Sequence, residues 1–176
     1  FQQHIQKSLD KDNGRSIVLW PHGVLFRDAE AEMRRNMIKD DLIECVIGLG
    51  PNLFYNSSMV SCLVITRSNK PKERRGKILF IQAVNEVRKE KTMSYLDEKH
   101  IQRIFKTYQY FREEESFSAI IDNQTIIADM NARLSVQLYV KGAEAEKNDF
   151  VEILSSWESS SIALKSSMKE LFETLT

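Results

Sequence analysis

The chain has 176 residues, 42% of them hydrophobic and 28% charged, which suits one globular domain with a modest core and excludes a disordered or low-complexity protein. Lys plus Arg and Asp plus Glu balance at 25 each, so no global field draws the chain onto nucleic acid, and any such contact has to come from a local patch. No apolar run approaches the ~20 residues a spanning helix needs, and the polar start FQQHIQKSLDKDNG lacks a signal peptide's apolar core, so a soluble, unexported protein with no membrane contact is expected.

The chain opens with Phe1 rather than Met, already in helical register, because Phe1, Ile5 and Leu9 recur one turn apart with polar residues between. It reads as the middle of a longer sequence. Asp10 to Gly14 stops that helix, and Ser16-Ile-Val-Leu-Trp20-Pro21 is a continuous apolar run, the pattern of a buried strand. After a loop from His22 to Phe26, Asp28 stands as an N-cap before AEAEMRRNMIKDD, a charged helix with one apolar face. Strands follow at Leu42 to Leu49, Val60 to Thr66 and Lys77 to Val84, broken by Gly50-Pro51-Asn52 and by a basic turn. Cys45 and Cys62 fall in these apolar runs, where buried thiols suit a reducing cytoplasm and imply no disulfide framework.

Ser94-Tyr-Leu-Asp97 has the spacing of a capping box, and Ile101, Ile104, Phe105, Tyr108 and Phe111 follow at helical intervals, so Ser94 to Arg112 is expected to be a helix. Beyond it, FSAII is strand-like, TIIADM suits a short helix, and LSVQLYV alternates. Apolar runs on both faces of several strands imply an α/β sheet covered by helices on both sides. The sheet is incomplete, however, and its other half, including the first strand-helix unit where ligands bind, is expected before Phe1.

No metal or nucleophile constellation is present. His4, His22 and His100 are far apart, neither cysteine belongs to a Cys-x-x-Cys pair, and no Gly-x-Ser-x-Gly occurs. Gly48-Leu-Gly50-Pro51 only superficially starts a dinucleotide fingerprint. Its sixth position is Leu53 and Pro51 bars a helix interior, so it reads as a strand end.

The ordered series GRSIVLWPHGVLF, a charged helix, LIECVIGLGPNLFYNSSMVSCLVITRSNK and GKILFIQA resembles the distal half of the catalytic domain in the modification subunits of type I restriction-modification systems. LSVQLYV is similar to that family's Leu-Asn-Ile-x-Arg-Tyr-Val, so the resemblance covers roughly residues 1 to 140. The family consists of S-adenosyl-L-methionine-dependent adenine-N6 DNA methyltransferases. The fold it implies is the distal half of a Rossmann-like methyltransferase α/β fold with a mixed sheet over residues 1–140, followed by a helical extension over 141–176. His22 stands where the family often has Asn, and Leu138 where Arg is usual.

The resemblance also implies what is lacking. The family's Gly-containing cofactor loop and its Asn/Asp-Pro-Pro-Tyr/Phe motif are absent, since Pro21, Pro51 and Pro71 are the only prolines and none adjoins another. The catalytic residues are therefore expected upstream of Phe1, and this chain alone is expected to be inactive and to bind no S-adenosyl-L-methionine. Within it, the family places an aromatic that stacks on the extruded adenine at the start of the loop after Gly50, which makes Phe54, with Tyr55, the target-base candidates. The alternative is that Phe54 plugs the core below that loop. Arg67 to Lys77 holds six cations against one acid, so Lys70, Lys72, Arg74 and Arg75 are candidates for DNA backbone contact; the alternative is a solvated hairpin loop.

At the C-terminus, apolar residues return at a seven-residue repeat, with Phe150, Trp157, Leu164 and Leu171 in one row, and Leu154, Met168 and Leu175 in the other, interrupted by Ser161. In the family this region meets the specificity subunit, alongside the restriction subunit of the complex. The alternative is a helix folded back on its own domain. The missing strands and the exposed seam also predict self-association of the fragment. A reading of another class is a non-catalytic, methyltransferase-like module that binds DNA or a partner subunit.

Overall fold

A computed structural model describes residues 1–55, 57–91, 93–128 and 131–140, together with Trp157, Ser160, Ser161, Lys165 and Ser167. The chain divides into two compact units, Phe1–Gly142 and Ala143–Thr176. In the first, the elements in order are α1 (Gln2–Ser8), β1 (Arg15–Pro21), α2 (Ala31–Lys39), β2 (Ile43–Leu49), β3 (Ser61–Arg67), β4 (Lys77–Ala83), β5 (Arg88–Glu90), β6 (Met93–Tyr95), α3 (Glu98–Tyr110), β7 (Ser118–Asp122), α4 (Asn123–Ala128) and α5 (Val136–Tyr139). Short 3-10 turns lie at His22–Leu25, Asp28–Glu30 and Lys72–Arg74.

Five strands form a mixed sheet in the order β1-β3-β2-β4-β7, while β5 and β6 form a separate hairpin. β3 runs antiparallel to both β1 and β2, with Cys62 opposite Trp20 and Gly48, whereas β2 and β4 are parallel, with Ile47 opposite Ile81. β7 closes the other side antiparallel to β4. β1, β2 and β4 therefore point the same way.

β2 is buried along its whole length, as a run apolar but for Glu44 requires of a central strand. Val46, Val64 and Phe80 face a core completed by Met37 and Ile38 of α2, Ile126 of α4 and Val136 of α5. Cys45, Ile65 and Leu79 face the opposite core, against which Ile104 and Tyr108 of α3 pack. Both cysteines are buried and free. Burial raises both thiol pKa values, that of Cys62 to about 12, so neither is a ready nucleophile.

Three expectations are corrected. The apolar run of β1 is not buried on both faces: β1 lies at the sheet edge, Val18 and Trp20 turn to the core, and Ile17 and Leu19 are 67% and 45% exposed. An apolar strand satisfies one face at a time, and the described residues cover only one. Ser94 does not start α3. It belongs to β6, and Asp97 is the N-cap, its backbone N–H donating to His100 Nδ1 at 3.1 Å. In LSVQLYV, whose alternation assigned no element, Val136–Tyr139 is one helical turn, with Tyr139 stacked on Phe80 at 4.4 Å. The basic turn from Arg67 to Lys77 is no hairpin loop, because β3 and β4 are separated by β2.

Among the described residues, no helix is long and apolar enough to cross a membrane. Of the heptad seam, Trp157 is described and is 66% exposed; Phe150, Leu154, Leu164, Met168, Leu171 and Leu175 lie outside the described residues.

Candidate functional site

Since β1, β2 and β4 are parallel, the segments that follow them, from His22, from Gly50 and from Val84, leave from one end of the sheet. Crevices at the carboxyl ends of parallel strands are where open α/β sheets hold ligands. The His22 backbone N–H donates to Val60 O at 3.2 Å, joining the first two segments. Its ring sits edge-on to Phe26 at 5.7 Å, and partial burial lowers the imidazole pKa. Arg34 of α2 fixes the first segment from below. It is fully buried and donates to the carbonyls of Val24, Arg27, Asn131 and Ala132 at 2.8–3.1 Å.

Phe54 and Tyr55 occupy the loop after β2. Phe54 is 37% exposed and Tyr55 87%, and it is Leu53, not Phe54, that packs against the core. A narrow turn holds them up, with Ser57 N–H donating to Phe54 O at 3.2 Å. Phe26 and Met59 are also exposed at this end, so four apolar side chains present surface to solvent around it.

The loop is anchored to the third segment. A Cβ on Gly50 would stand 2.7 Å from Val84 O and 2.9 Å from Val87 Cγ1, so only glycine lets the two backbones approach this closely. Ser94 N–H in β6 donates to Asn52 O at 2.8 Å. The β5–β6 hairpin thus stands beside Phe54 and Tyr55.

The basic turn lies elsewhere. It joins the last residue of β3 to the first of β4, at the opposite end of the sheet, about 20 Å away for seven-residue strands. Three of its four candidates have partners, Arg75 through hydrogen bonds to Lys70 O and Asn69 Oδ1 at 3.0 Å. Lys70 is 3% exposed, and its Nζ donates to Asp41 Oδ1 at 2.7 Å and Lys77 O at 2.9 Å. Burial lowers its pKa against the pull of Asp41. Arg74 reaches Glu44 Oε1 at 3.3 Å and Gln109 O at 2.7 Å, over the rings of Tyr108 and Phe111. Lys72 and Arg75 remain exposed, but Arg75 lines a polar hollow shared with Asp41 and Asp122, carboxylates that would repel a phosphate.

Glu44 is the residue that sequence reasoning missed. It falls where the β2–β3 register shifts between Ile43 and Cys45, and the bulge aims its fully buried carboxylate at Arg67, Arg74 and the Tyr108 hydroxyl, the last at 2.6 Å. The available signal was a lone acid inside an apolar strand, which demands a cation.

Residues 1–148 match the family described as N-6 DNA Methylase. The chain belongs to that family. It is 37% identical over 130 residues to the methylase subunit of the type I restriction enzyme MjaVIII of Methanocaldococcus jannaschii, covering 72% of this chain and 22% of that one. It is 29% identical over 150 residues to the MpnII methylase subunit of Mycoplasma pneumoniae, covering 85% and 27%. Among solved structures, the type I restriction-modification methyltransferase subunit from Streptococcus thermophilus superposes with a TM-score of 0.72 at 29% identity, covering 79% of this chain and 29% of that one. This N-6 DNA methylase chain thus spans about a quarter of the length of its curated relatives, and over the matched part its fold is that of a methyltransferase subunit.

The methyl donor that the family implies, S-adenosyl-L-methionine, needs a backbone cradle and a carboxylate for its ribose. The described residues of this end do not fit it. Gly50 is filled against Val84 and Val87, the Cβ position of Gly23 faces the Arg27 side chain, neither Pro21–Phe26 nor Gly50–Tyr55 contains an acid, and in the third segment Glu86 and Glu90 are paired with Arg103 and Arg88.

Proposed function

We propose that the chain is the distal part of a type I modification subunit, an adenine-specific DNA methyltransferase that moves a methyl group from S-adenosyl-L-methionine to adenine N6. Its own share of that reaction is to receive the extruded base on Phe54, with Tyr55 beside it. The observation that carries this reading is the pair of aromatics, outside either core, raised at the carboxyl ends of three parallel strands in a member of the N-6 DNA methylase family. An exposed aromatic face recovers energy only when something stacks on it, and a base taken from its duplex needs that surface.

The donor is held by residues outside those described here, and this chain by itself is expected to bind none. The edge position of β1 supports a sheet that continues in the longer protein, and its bare face at Ile17 and Leu19 a further layer that covers it. The C-terminal seam from Phe150 to Leu175 is read as the dock for the specificity subunit, within a complex that includes the restriction subunit; the heptad spacing and the exposure of Trp157 support it. A reducing cytoplasm suits the two free buried thiols.

The test is a binding comparison between a fully paired duplex and the same duplex with one unpaired adenine. The chain is expected to prefer the unpaired adenine, and Phe54→Ala is expected to reduce that preference about tenfold, as loss of one base stack would. Equal affinity of the unsubstituted chain for both duplexes, or a preference that survives Phe54→Ala, overturns the proposal.

A further inference from the structure

The four cations first singled out for the DNA backbone sit at the wrong end of the sheet for Phe54, and two of them are engaged in internal ion pairs. A protein that holds a base must also hold the phosphates flanking it, since those contacts set register and orientation. The cations that serve this purpose have to lie beside the loop after β2.

The β5–β6 hairpin meets that requirement. Between positions 88 and 91 it carries Arg88, Lys89 and Lys91 against Glu90, all four exposed. It leaves the sheet from the carboxyl end of β4, the end that bears Phe54, and it is tied to the Phe54 loop by the Ser94 bond to Asn52 and the close approach at Gly50. Arg88 is the brace of the hairpin: it pairs with Glu90 at 3.0 Å and Asp97 at 3.3 Å and lies over the Tyr95 ring at 5.5 Å. That leaves Lys89 and Lys91, for which no ion pair is found among the described residues. Lys89 is the cross-strand neighbour of Ser94, whose backbone N–H meets Asn52 O at the outer edge of β6, so one strand's width separates Lys89 from the Phe54 loop.

We propose that the β5–β6 hairpin grips the DNA phosphate backbone beside the extruded base, through Lys89 and Lys91. The inference rests on the base-holding reading of Phe54 and assigns it the missing electrostatic half. The grip is sequence-independent, because an ammonium on a phosphate carries no base information. The far turn at Lys72 and Arg75 takes no part.

The test is the salt dependence of binding to the short duplex with one unpaired adenine, read by fluorescence anisotropy. Each phosphate neutralised contributes about 0.9 to the slope of log affinity against log salt. Lys89→Ala with Lys91→Ala is expected to flatten that slope by about two phosphate contacts, Lys89→Arg with Lys91→Arg to restore it, and Lys72→Ala with Arg75→Ala to leave it unchanged. An unchanged slope in the Lys89/Lys91 double variant overturns the proposal, as does an equal loss from the Lys72/Arg75 pair, or no binding by the unsubstituted chain up to about 100 µM, the weak limit of sequence-independent affinity. Preference for the unpaired adenine reads the Phe54 reading separately, since it compares two duplexes of equal backbone charge density. If that preference is absent while the slope responds to the hairpin, base holding fails and the backbone grip stands.

Discussion

Glu44 has no exposed surface, and three side chains from two other segments converge on it: Arg67, Arg74 and Tyr108. Removing one partner from such a cluster strands a charge in a low-dielectric site, which costs about 3–5 kcal/mol. Tyr108 offers a cleaner probe. Burial first, and its bond to Glu44 second, raise the phenol pKa from 10 to about 12. A folded-state pKa above the unfolded one means that the stability from this contact is fully present below pH 10 and is lost as pH rises through 12. Tyr108→Phe is expected to lower stability by about 1–2 kcal/mol at neutral pH, in the lower range for a bond to a carboxylate because the hydroxyl is half-buried. The gap between the two proteins should then narrow between pH 10 and 12; chemical denaturation that shows a constant gap would refute the assignment. The same residues show why the basic turn was misread. Asp41 and Glu44, which engage Lys70 and Arg74, lie 29 and 30 positions away, so a string of cations looks free in sequence when its counter-charges arrive only with the fold.

The hairpin and the loop after β2 behave as one element because two backbones touch. Gly50→Ala places a methyl 2.7 Å from a carbonyl oxygen, and since that oxygen belongs to backbone, the hairpin has to move. A stability loss of about 1–3 kcal/mol is expected, with faster hydrogen exchange at the Ser94 amide, whose acceptor is Asn52 O. Unchanged exchange at Ser94 would mean that the two segments are not coupled. β2, β3 and β4 were legible because each is an apolar run bounded by turn residues, and the Phe54 loop because its surroundings resemble a known series. The hairpin was not legible: strands of three residues, the first all charged and exposed, are too short to carry an apolar period. α5 was not legible because LSVQLYV only alternates in sequence, whereas packing of Val136 against Gly48 and of Tyr139 against Phe80 accompanies its helical turn. For α3, the expected cap was one spacing too early, since Asp97 with His100 does the work that Ser94 with Asp97 was assigned.

In the first compact unit, β1 is an edge strand with Ile17 and Leu19 uncovered on one face. Ile17 also lines an apolar groove of about 260 Å³ between the sheet and α3, with Ile47, Leu63, Ile101 and Phe105. An unpaired edge next to an apolar face invites another chain. The protein is therefore expected to self-associate, and Ile17→Lys to shift it toward monomer in light scattering with little change in melting temperature, because Ile17 is two-thirds exposed. A strictly monomeric protein at high concentration, or association indifferent to Ile17→Lys, would contradict this.

The strand order β1-β3-β2-β4-β7 also has a meaning for the chain while it is being made. Neither β1 nor β2 can join this sheet until β3 exists, and Trp20 waits for Cys62, 42 positions later. At a synthesis rate of about 5–20 residues per second that delay lasts on the order of seconds, much longer than an apolar segment takes to collapse on whatever is near. The sheet cannot start before its third strand is made, and until then the Ile-Val-Leu-Trp segment has no strand to pair with.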